Sequence, residues 1–142
     1  MMRYAYPVEI DEAEDGVTVT FPDVSEAITC GGTRAEAMER AVDALVTALS
    51  FYADQDAAAP VPSAADGRIV VSVPILVAAK LALHDAMLEA GLSNVEMARR
   101  LGCDEKAVRR LRDPLHASRI TQLEDALHVL GKRIEISVLQ AG

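Results

Sequence analysis

The stretch that decides the fold of the C-terminal half is LSNVEMARRLGCDEKAVRRL, residues 92–111. Its spacing predicts two short helices around a tight turn. Ser93 is placed to cap the first helix, Gly102 to end it, and Asp104 to cap the second. Small Ala98 would permit a close crossing of the two helices. The predicted inward-facing set is Val95, Ala98, Leu101, Val108 and Leu111.

The second helix of this pair would present basic side chains outward. A helix about 12 Å across fits the major groove of DNA, where base edges differ in donor and acceptor pattern, and a helix-turn-helix inserts its second helix there. The predicted base contacts are Glu105, Lys106 and Arg109. The predicted phosphate contacts are Asn94, Arg110, Arg112 and Arg119. A solvated basic face and a protein-interaction fold are the alternatives.

The pattern also predicts the elements on either side of this pair. A helix is expected over residues 74–90, and Thr121 and Glu124 have the capping-box spacing that opens a final helix. Gly131 would close that helix. Alternating apolar residues then predict a terminal strand over residues 134–139.

A terminal strand needs a partner, because an unpaired apolar edge promotes aggregation. Two partners are open. Pairing with the same strand of a second copy would make a two-fold dimer, which would contact two DNA half-sites about 34 Å apart. Pairing with a strand over Ile69–Val73 of the same chain is the other arrangement.

The N-terminal half has strand patterns followed by one helix. Apolar residues alternate with threonines over residues 17–21, and weaker strand patterns cover 4–10 and 27–30. Thr33 and Glu36 have capping-box spacing, so a helix should begin at the residue after Thr33. The predicted apolar stripe of that helix is Met38, Ala41, Val42, Leu45, Leu49 and Tyr52.

These patterns predict an α+β protein of two domains. Residues 54–67 contain two prolines, small residues and no apolar period, and are the predicted linker. An antiparallel sheet and its helix would occupy residues 1–53, and a strand over 68–73 would complete that sheet. Residues 74–142 would form an all-α helix-turn-helix domain with the terminal strand.

Charge divides the chain in the same way. The 142 residues carry a net charge of −8, with three basic and 13 acidic residues in positions 1–66 and 11 basic and nine acidic residues in 67–142. Such asymmetry indicates two different partners, one of them nucleic acid. No basic and apolar leader and no long apolar run is visible, which predicts a soluble cytoplasmic protein.

The sequence nominates no catalytic residue, metal ligand or cofactor site. Cys30 and Cys103 match no metal-ligand spacing and are predicted to be reduced thiols. His84 is expected to be a packed or surface histidine. A metal nuclease would need converging carboxylates, but four of the five candidates crowd one turn and would point into solvent. The five are Asp11, Glu12, Glu14, Asp15 and Asp23.

Taken together, these residues resemble the HicB family, antitoxins of bacterial and archaeal toxin–antitoxin pairs. The similar segments are Tyr6-Pro7-Val8, Gly16 to Asp23, Ala27 to Gly31, Thr33 to Met38 and Gly131 to Ile136. The resemblance implies a partial ribonuclease-H-like N-terminal domain that binds and blocks HicA, a messenger-RNA-cleaving toxin. It also implies that the C-terminal domain represses the operon through double-stranded operator DNA.

The resemblance implies a HicA-like toxin and operator DNA as partners. A second copy of the chain is the partner expected from the terminal strand, with a tetramer through both domains as a larger assembly. The expected toxin contacts lie in the acidic domain: Val19, Phe21, Pro22, Asp23, Glu36, Glu39 and Asp43. The alternative is a solitary helix-turn-helix regulator whose N-terminal domain senses a small molecule or assembles subunits. A neighbouring reading frame for a small basic protein would favour the antitoxin.

Overall fold

The computed structural model describes residues 2–140, which form two compact units. Unit 1 contains the described residues up to Phe51 together with Pro60–Pro74. Unit 2 contains Tyr52–Ala59 and the described residues from Ile75 onward. The segment predicted as a linker is therefore divided between the two units.

Unit 1 contains five strands and most of one helix. They are β1 (Ala5–Pro7), β2 (Glu9–Ala13), β3 (Gly16–Thr20), β4 (Ile28–Gly31), α1 (Arg34–Asp54) and β5 (Val70–Ser72). Strands β2, β3 and β4 form an antiparallel sheet in that order, and β1 pairs antiparallel with β5. The predicted antiparallel sheet followed by a helix is confirmed.

The predicted first strand is interrupted at Val8. Its backbone N–H donates to Ile69 O at 2.9 Å, so β1 continues toward β5. Beyond Val8 the chain pairs with β3 instead, in a register that sets Ile10 opposite Val19. Strand β5, which follows the predicted linker, therefore belongs to unit 1 as predicted. It pairs with β1 in a separate two-stranded sheet and does not complete the three-stranded sheet.

Helix α1 begins where the sequence predicts it. Glu36 N–H donates to Thr33 Oγ1 at 3.2 Å, as an N-cap requires. The buried face of α1 is shifted slightly from the predicted stripe, because Ala37 and Ala48 are buried whereas Met38 and Val42 are only half-buried. Its buried residues are Ala37, Ala41, Leu45, Ala48, Leu49 and Ser50.

Unit 2 contains four helices around one apolar core. They are α2 (Ile75–Ala90), α3 (Asn94–Leu101), α4 (Glu105–Arg112) and α5 (Ile120–Val129). Helix α2 supplies Leu83 and Met87, which are fully buried among residues of the other three helices. This core fixes the position of the short α3–α4 pair.

Two details of the predicted core and caps are wrong. Val95 is 51% exposed, and Met97 takes the inward position on α3. Helix α5 begins at Ile120, where Gln122 Oε1 accepts from the Arg119 N–H at 2.9 Å, so Thr121 lies inside the first turn and is not a cap. The predicted ending at Gly131 is confirmed by its left-handed φ of 74°.

The predicted terminal strand does not form within this chain. Among the described residues, 132–140 have no strand hydrogen bonds, and β5 pairs with β1 instead. Ile136, Val138 and Leu139 are largely exposed. The intrachain alternative is therefore wrong: β5 pairs with β1 alone, and the tail adds no third strand to that sheet.

Candidate functional site

The turn between α3 and α4 is fixed by local hydrogen bonds that the sequence predicted. Ser93 Oγ accepts from Glu96 N–H at 3.2 Å at the start of α3. Gly102 adopts a left-handed φ of 69°, and its N–H bonds Ala98 O. Asp104 Oδ1 then accepts from Ala107 N–H at 2.7 Å and opens α4. These caps define the start and end of α3 and the start of α4, each helix eight residues long.

The outer face of α4 is basic and accessible. Lys106, Arg109 and Arg110 are exposed, whereas Val108 is fully buried on the opposite face. Arg109 Nη2 lies 2.5 Å from Glu105 Oε1, and 64% of the Arg109 side chain is exposed. A solvated pair of this kind is weakly held and can exchange for another acceptor, such as a base edge or a phosphate.

Arg112 lies in a different environment from the other arginines of α4. Its side chain is only 11% exposed. Nη1 donates to Asn94 Oδ1 at 2.6 Å, and Nη2 donates to His84 Nδ1 at 2.6 Å. Asp56 Oδ1 lies 3.4 Å from Nη2. These contacts assign Arg112 a structural position that its basic neighbours on the helix did not suggest.

The other two predicted phosphate contacts outside α4 are placed as follows. Asn94 Oδ1 is occupied by Arg112, so a phosphate would have to accept from Asn94 Nδ2. Arg119 is exposed and precedes α5. Both therefore remain geometrically open to a partner.

Lys80 is a buried cation that the sequence analysis did not single out. Its Nζ donates to Arg110 O at 2.8 Å, to Leu111 O at 3.3 Å and to Ser118 Oγ at 2.7 Å. Burial lowers the pKa of Lys80, and the Asp113 carboxylate partly offsets that effect. The ammonium thus satisfies carbonyls at the C-terminal end of α4, where the helix dipole favours a cation.

His84 is packed, in agreement with the sequence expectation. Because a guanidinium only donates, Nδ1 of His84 accepts from Arg112, and the ring proton lies on Nε2, 3.2 Å from Ala57 O. Burial lowers the pKa of His84 below its ordinary 6.5, and the Arg112 cation lowers it further. The Ala57 hydrogen bond and the carboxylates of Asp85 and Asp56 only partly compensate.

This environment predicts acid destabilisation of unit 2. A folded-state pKa below 6.5 means that the unfolded chain binds the proton more tightly, so the stability contributed by neutral His84 is lost as pH falls through 6.5. We expect unit 2 to unfold more easily at about pH 5.5 than at about pH 7.5. His84→Gln should flatten this dependence, measured by urea unfolding at both pH values. Equal pH dependence in the two proteins would contradict the assignment.

In unit 1, two of the predicted toxin contacts are core residues. Val19 is 0% exposed and Phe21 is 1% exposed, so neither side chain can reach a partner in this fold. The alternation over residues 17–21 sets Val19 and Phe21 on one face of the strand. Their burial shows that this face is turned to the core of unit 1, so both predicted contacts are wrong.

The loop after β3 is tied to another part of unit 1. Asp23 Oδ2 accepts from both the N–H and the hydroxyl of Ser63, each at 2.9 Å. Pro22 is exposed beside it. The loop is therefore ordered, with Pro22 as its accessible residue.

The predicted acidic contacts on α1 remain accessible. Glu39 and Asp43 are exposed, and Glu36 is half-buried with Arg40 Nη2 2.6 Å from its carboxylate. Arg40 Nη1 also donates to Cys30 O at 3.0 Å. Asp43 is thus an acidic group of α1 that can meet a cationic partner directly.

A groove between β4 and α1 was missed by the sequence analysis. It is lined by Glu26, Ile28, Thr29, Arg40, Asp43, Ala44, Thr47, Ala48 and Phe51. Ile28 is 62% exposed and Phe51 is 54% exposed. The combination of exposed apolar side chains with acidic residues is typical of a protein-binding surface. The exposed Phe51 on an otherwise amphipathic helix was the available signal.

Neither a metal cluster nor a membrane-spanning helix is found in the described part of the chain. Within residues 2–140, no group of three or more histidine, cysteine or acidic residues could hold a metal ion. Among these residues, no helix is long and apolar enough to span a bilayer. Cys30 and Cys103 are free and exposed.

Comparisons with known proteins place this architecture in a family. The model of the HicB-like antitoxin of bacterial toxin–antitoxin systems matches residues 3–82. Antitoxin HicB 2 of Photorhabdus laumondii subsp. laumondii is 42% identical over 131 residues, 92% of this chain and 94% of that protein. Antitoxin HicB of Pseudomonas fluorescens is 39% identical over 139 residues, which are 96% of this chain and 95% of that protein. Antitoxin HicB of Escherichia coli K12 is 39% identical over 133 residues, which are 92% of this chain and 96% of that protein.

These similarities define the chain as the antitoxin component of a bacterial toxin–antitoxin system. The family match covers more than half of the chain, and the relatives align along more than nine tenths of it. The protein belongs to the HicB-like antitoxin family.

Proposed function

We propose that the chain neutralises a HicA-type ribonuclease toxin through unit 1 and represses its own operon through unit 2. The observation that carries the toxin-binding part is the acidic excess of unit 1. Unit 1 contains 11 acidic and four basic residues, whereas unit 2 contains 11 and ten. A protein that grips RNA must be basic, so an acidic surface would steer its association and disfavour wrong partners.

We place the toxin contact at the β4–α1 groove and the adjoining acidic face of α1. Ile28 and Phe51 offer apolar area that becomes buried, and Glu39 and Asp43 supply the charge. Binding there would block the ribonuclease by covering its RNA-binding surface. The chain itself would need no catalytic group for this role.

Reversing one charge tests this surface. Asp43→Lys should weaken binding to the toxin about tenfold, mainly through slower association, because it places a cation against a basic partner. Glu14→Lys makes the same change of charge in the β2–β3 turn, outside the groove, and should have a smaller effect. Surface plasmon resonance at two salt concentrations measures both. Equal effects of the two variants would exclude the groove as the contact.

The DNA-binding part of the proposal rests on the basic outer face of α4. The capped α3–α4 pair presents Lys106, Arg109 and Arg110 on one side while Val108 and Leu111 anchor the other. We propose that α4 enters the major groove as the second helix of a helix-turn-helix. Glu105, Lys106 and Arg109 would contact bases, and Arg110, Arg119 and Asn94 would contact phosphates.

Arg109→Ala tests the base-reading role. The variant should lose about 1–3 kcal/mol of operator binding if Arg109 makes a good base contact. Arg34→Ala removes the same charge from unit 1 and should change affinity little. Gel shifts at fixed salt measure both variants. Unchanged operator affinity of Arg109→Ala would contradict the proposal that Arg109 on α4 contacts a base.

We further propose that the exposed tail pairs with the tail of a second copy. Ile136 and Val138 are exposed in the single chain and alternate as a strand does. Pairing across a two-fold axis would bury them and set two α4 helices on one palindromic operator. A tetramer would follow if unit 1 also associates.

A further inference from the structure

Residues 56–59, which follow α1, contact the helices of unit 2 at three points. Asp56 Oδ1 lies 3.4 Å from Arg112 Nη2. Ala57 O lies 3.2 Å from His84 Nε2, and Ala59 N–H donates to Asp85 Oδ1 at 3.1 Å. Two of these points belong to α2 and the third to the last residue of α4. We call residues 56–59 the clasp.

Arg112 connects the clasp to the α3–α4 pair. Its guanidinium donates to acceptors from three separate parts of unit 2: Asn94 at the start of α3, His84 on α2, and Asp56 in the clasp. Planar guanidinium can serve several acceptors in fixed directions, which an ammonium cannot do equally well. With 11% of its side chain exposed, Arg112 is held by the protein, unlike Arg109 at 64%.

The same end of α4 is held from a second direction. Lys80, one turn before His84 on α2, bonds Arg110 O and Leu111 O. The C-terminal end of α4 is therefore anchored through its backbone by Lys80 and through its last side chain by Arg112. Both contacts add to the apolar packing of Val108 and Leu111 on α4.

We propose that Arg112 is a positioning residue, which orients α4 for DNA through the clasp and does not itself contact phosphate. This inference rests on the proposed DNA-binding function. Helix α1 ends at Asp54, two residues before Asp56, so the clasp is joined covalently to the helix that bears the proposed toxin-facing residues. A change at the end of α1 would thereby act on the orientation of α4.

Hydrogen exchange tests the clasp without DNA. In the full chain, the Ala59 amide should be protected relative to amides of residues 132–140. Arg112→Lys should speed its exchange about tenfold or more, because one ammonium cannot replace the three contacts. Arg109→Lys is the matched control and should leave it unchanged. An unprotected Ala59 amide in the wild type would overturn the proposal. So would an Ala59 amide that exchanges in the Arg112→Lys variant at the same rate as in the wild type.

Operator binding at several salt concentrations tests the positioning role. We expect Arg112→Lys to weaken binding about tenfold while the slope of log K against log salt stays the same. Asp56→Asn should act in the same direction more weakly; asparagine tolerates the left-handed φ of 52° there. If Arg112 instead contacted a phosphate directly, lysine could make the same contact and Arg112→Lys would bind nearly as well as the wild type. Arg112→Ala would then lower the slope of log K against log salt by about one. That pattern would overturn the proposal.

The hydrogen-exchange and operator-binding experiments together separate this inference from the DNA-binding function on which it rests. If the wild-type chain does not bind its upstream DNA at all, the DNA-binding proposal fails, while the exchange measurement still decides whether the clasp exists. If the wild type binds and the variants follow the phosphate pattern, only the positioning role of Arg112 fails.

Discussion

Gly31→Ala is expected to destabilise unit 1 by about 3 kcal/mol. A Cβ at Gly31 would lie 2.7 Å from Ala37 N and 3.0 Å from Ala37 Cα. Both atoms belong to the helix backbone, which cannot move aside as a flexible side chain can. The end of β4 and the first turn of α1 would have to separate.

The neighbouring glycine provides the control. A Cβ at Gly32 would meet only the Glu36 carboxylate oxygen at 3.6 Å, which is ordinary contact. Gly32→Ala should therefore change stability by less than about 0.5 kcal/mol. Urea unfolding followed by near-ultraviolet circular dichroism is weighted toward unit 1, which holds Tyr4 and Tyr6, two of the three tyrosines. Equal stability of the two variants would refute the close approach of α1 to β4.

Lys80→Met is expected to destabilise unit 2 by about 2–3 kcal/mol. Methionine nearly fills the lysine volume but donates no hydrogen bond, so Arg110 O, Leu111 O and Ser118 Oγ lose their shared donor. Removing a buried ammonium also recovers its desolvation cost. Three acceptors without their donor, two of them carbonyls at the negative end of α4, outweigh that gain.

Lys106→Met is the matched control for this substitution. Lys106 lies exposed on α4, and its replacement should change stability by less than about 0.5 kcal/mol. Hydrogen exchange of the buried Leu83 and Met87 amides on α2 reports the stability of unit 2. A Lys80→Met protein as stable as the control would show that the lysine does not anchor α4.

The elements predicted correctly are those that local chemistry determines. Ser93, Gly102 and Asp104 bond backbone groups within four residues or adopt a conformation that glycine favours, so their roles could be predicted from spacing alone. The start of α1 followed from Thr33 for the same reason. Contacts between residues only a few positions apart can be predicted from the order of residue types along the chain.

Contacts with distant parts of the chain could not be predicted in this way. The basic neighbours of Arg112 favoured a phosphate contact, and no spacing pointed to its partners His84 and Asp56, which lie 28 and 56 positions away. The period of an eight-residue helix could not choose between Val95 and Met97, which the packing of α2 settles. The tail pattern indicates a strand, yet residues 132–140 form no strand hydrogen bonds within the chain, and β5, the intrachain partner considered, pairs with β1 alone.

The most direct test of the whole account is growth of cells that express the small reading frame next to the gene for this chain. We predict that this frame alone arrests growth and that co-expression of the full chain restores it. Persistent arrest with both proteins present at comparable levels would contradict the assignment of unit 1 as the part that binds and silences a toxin.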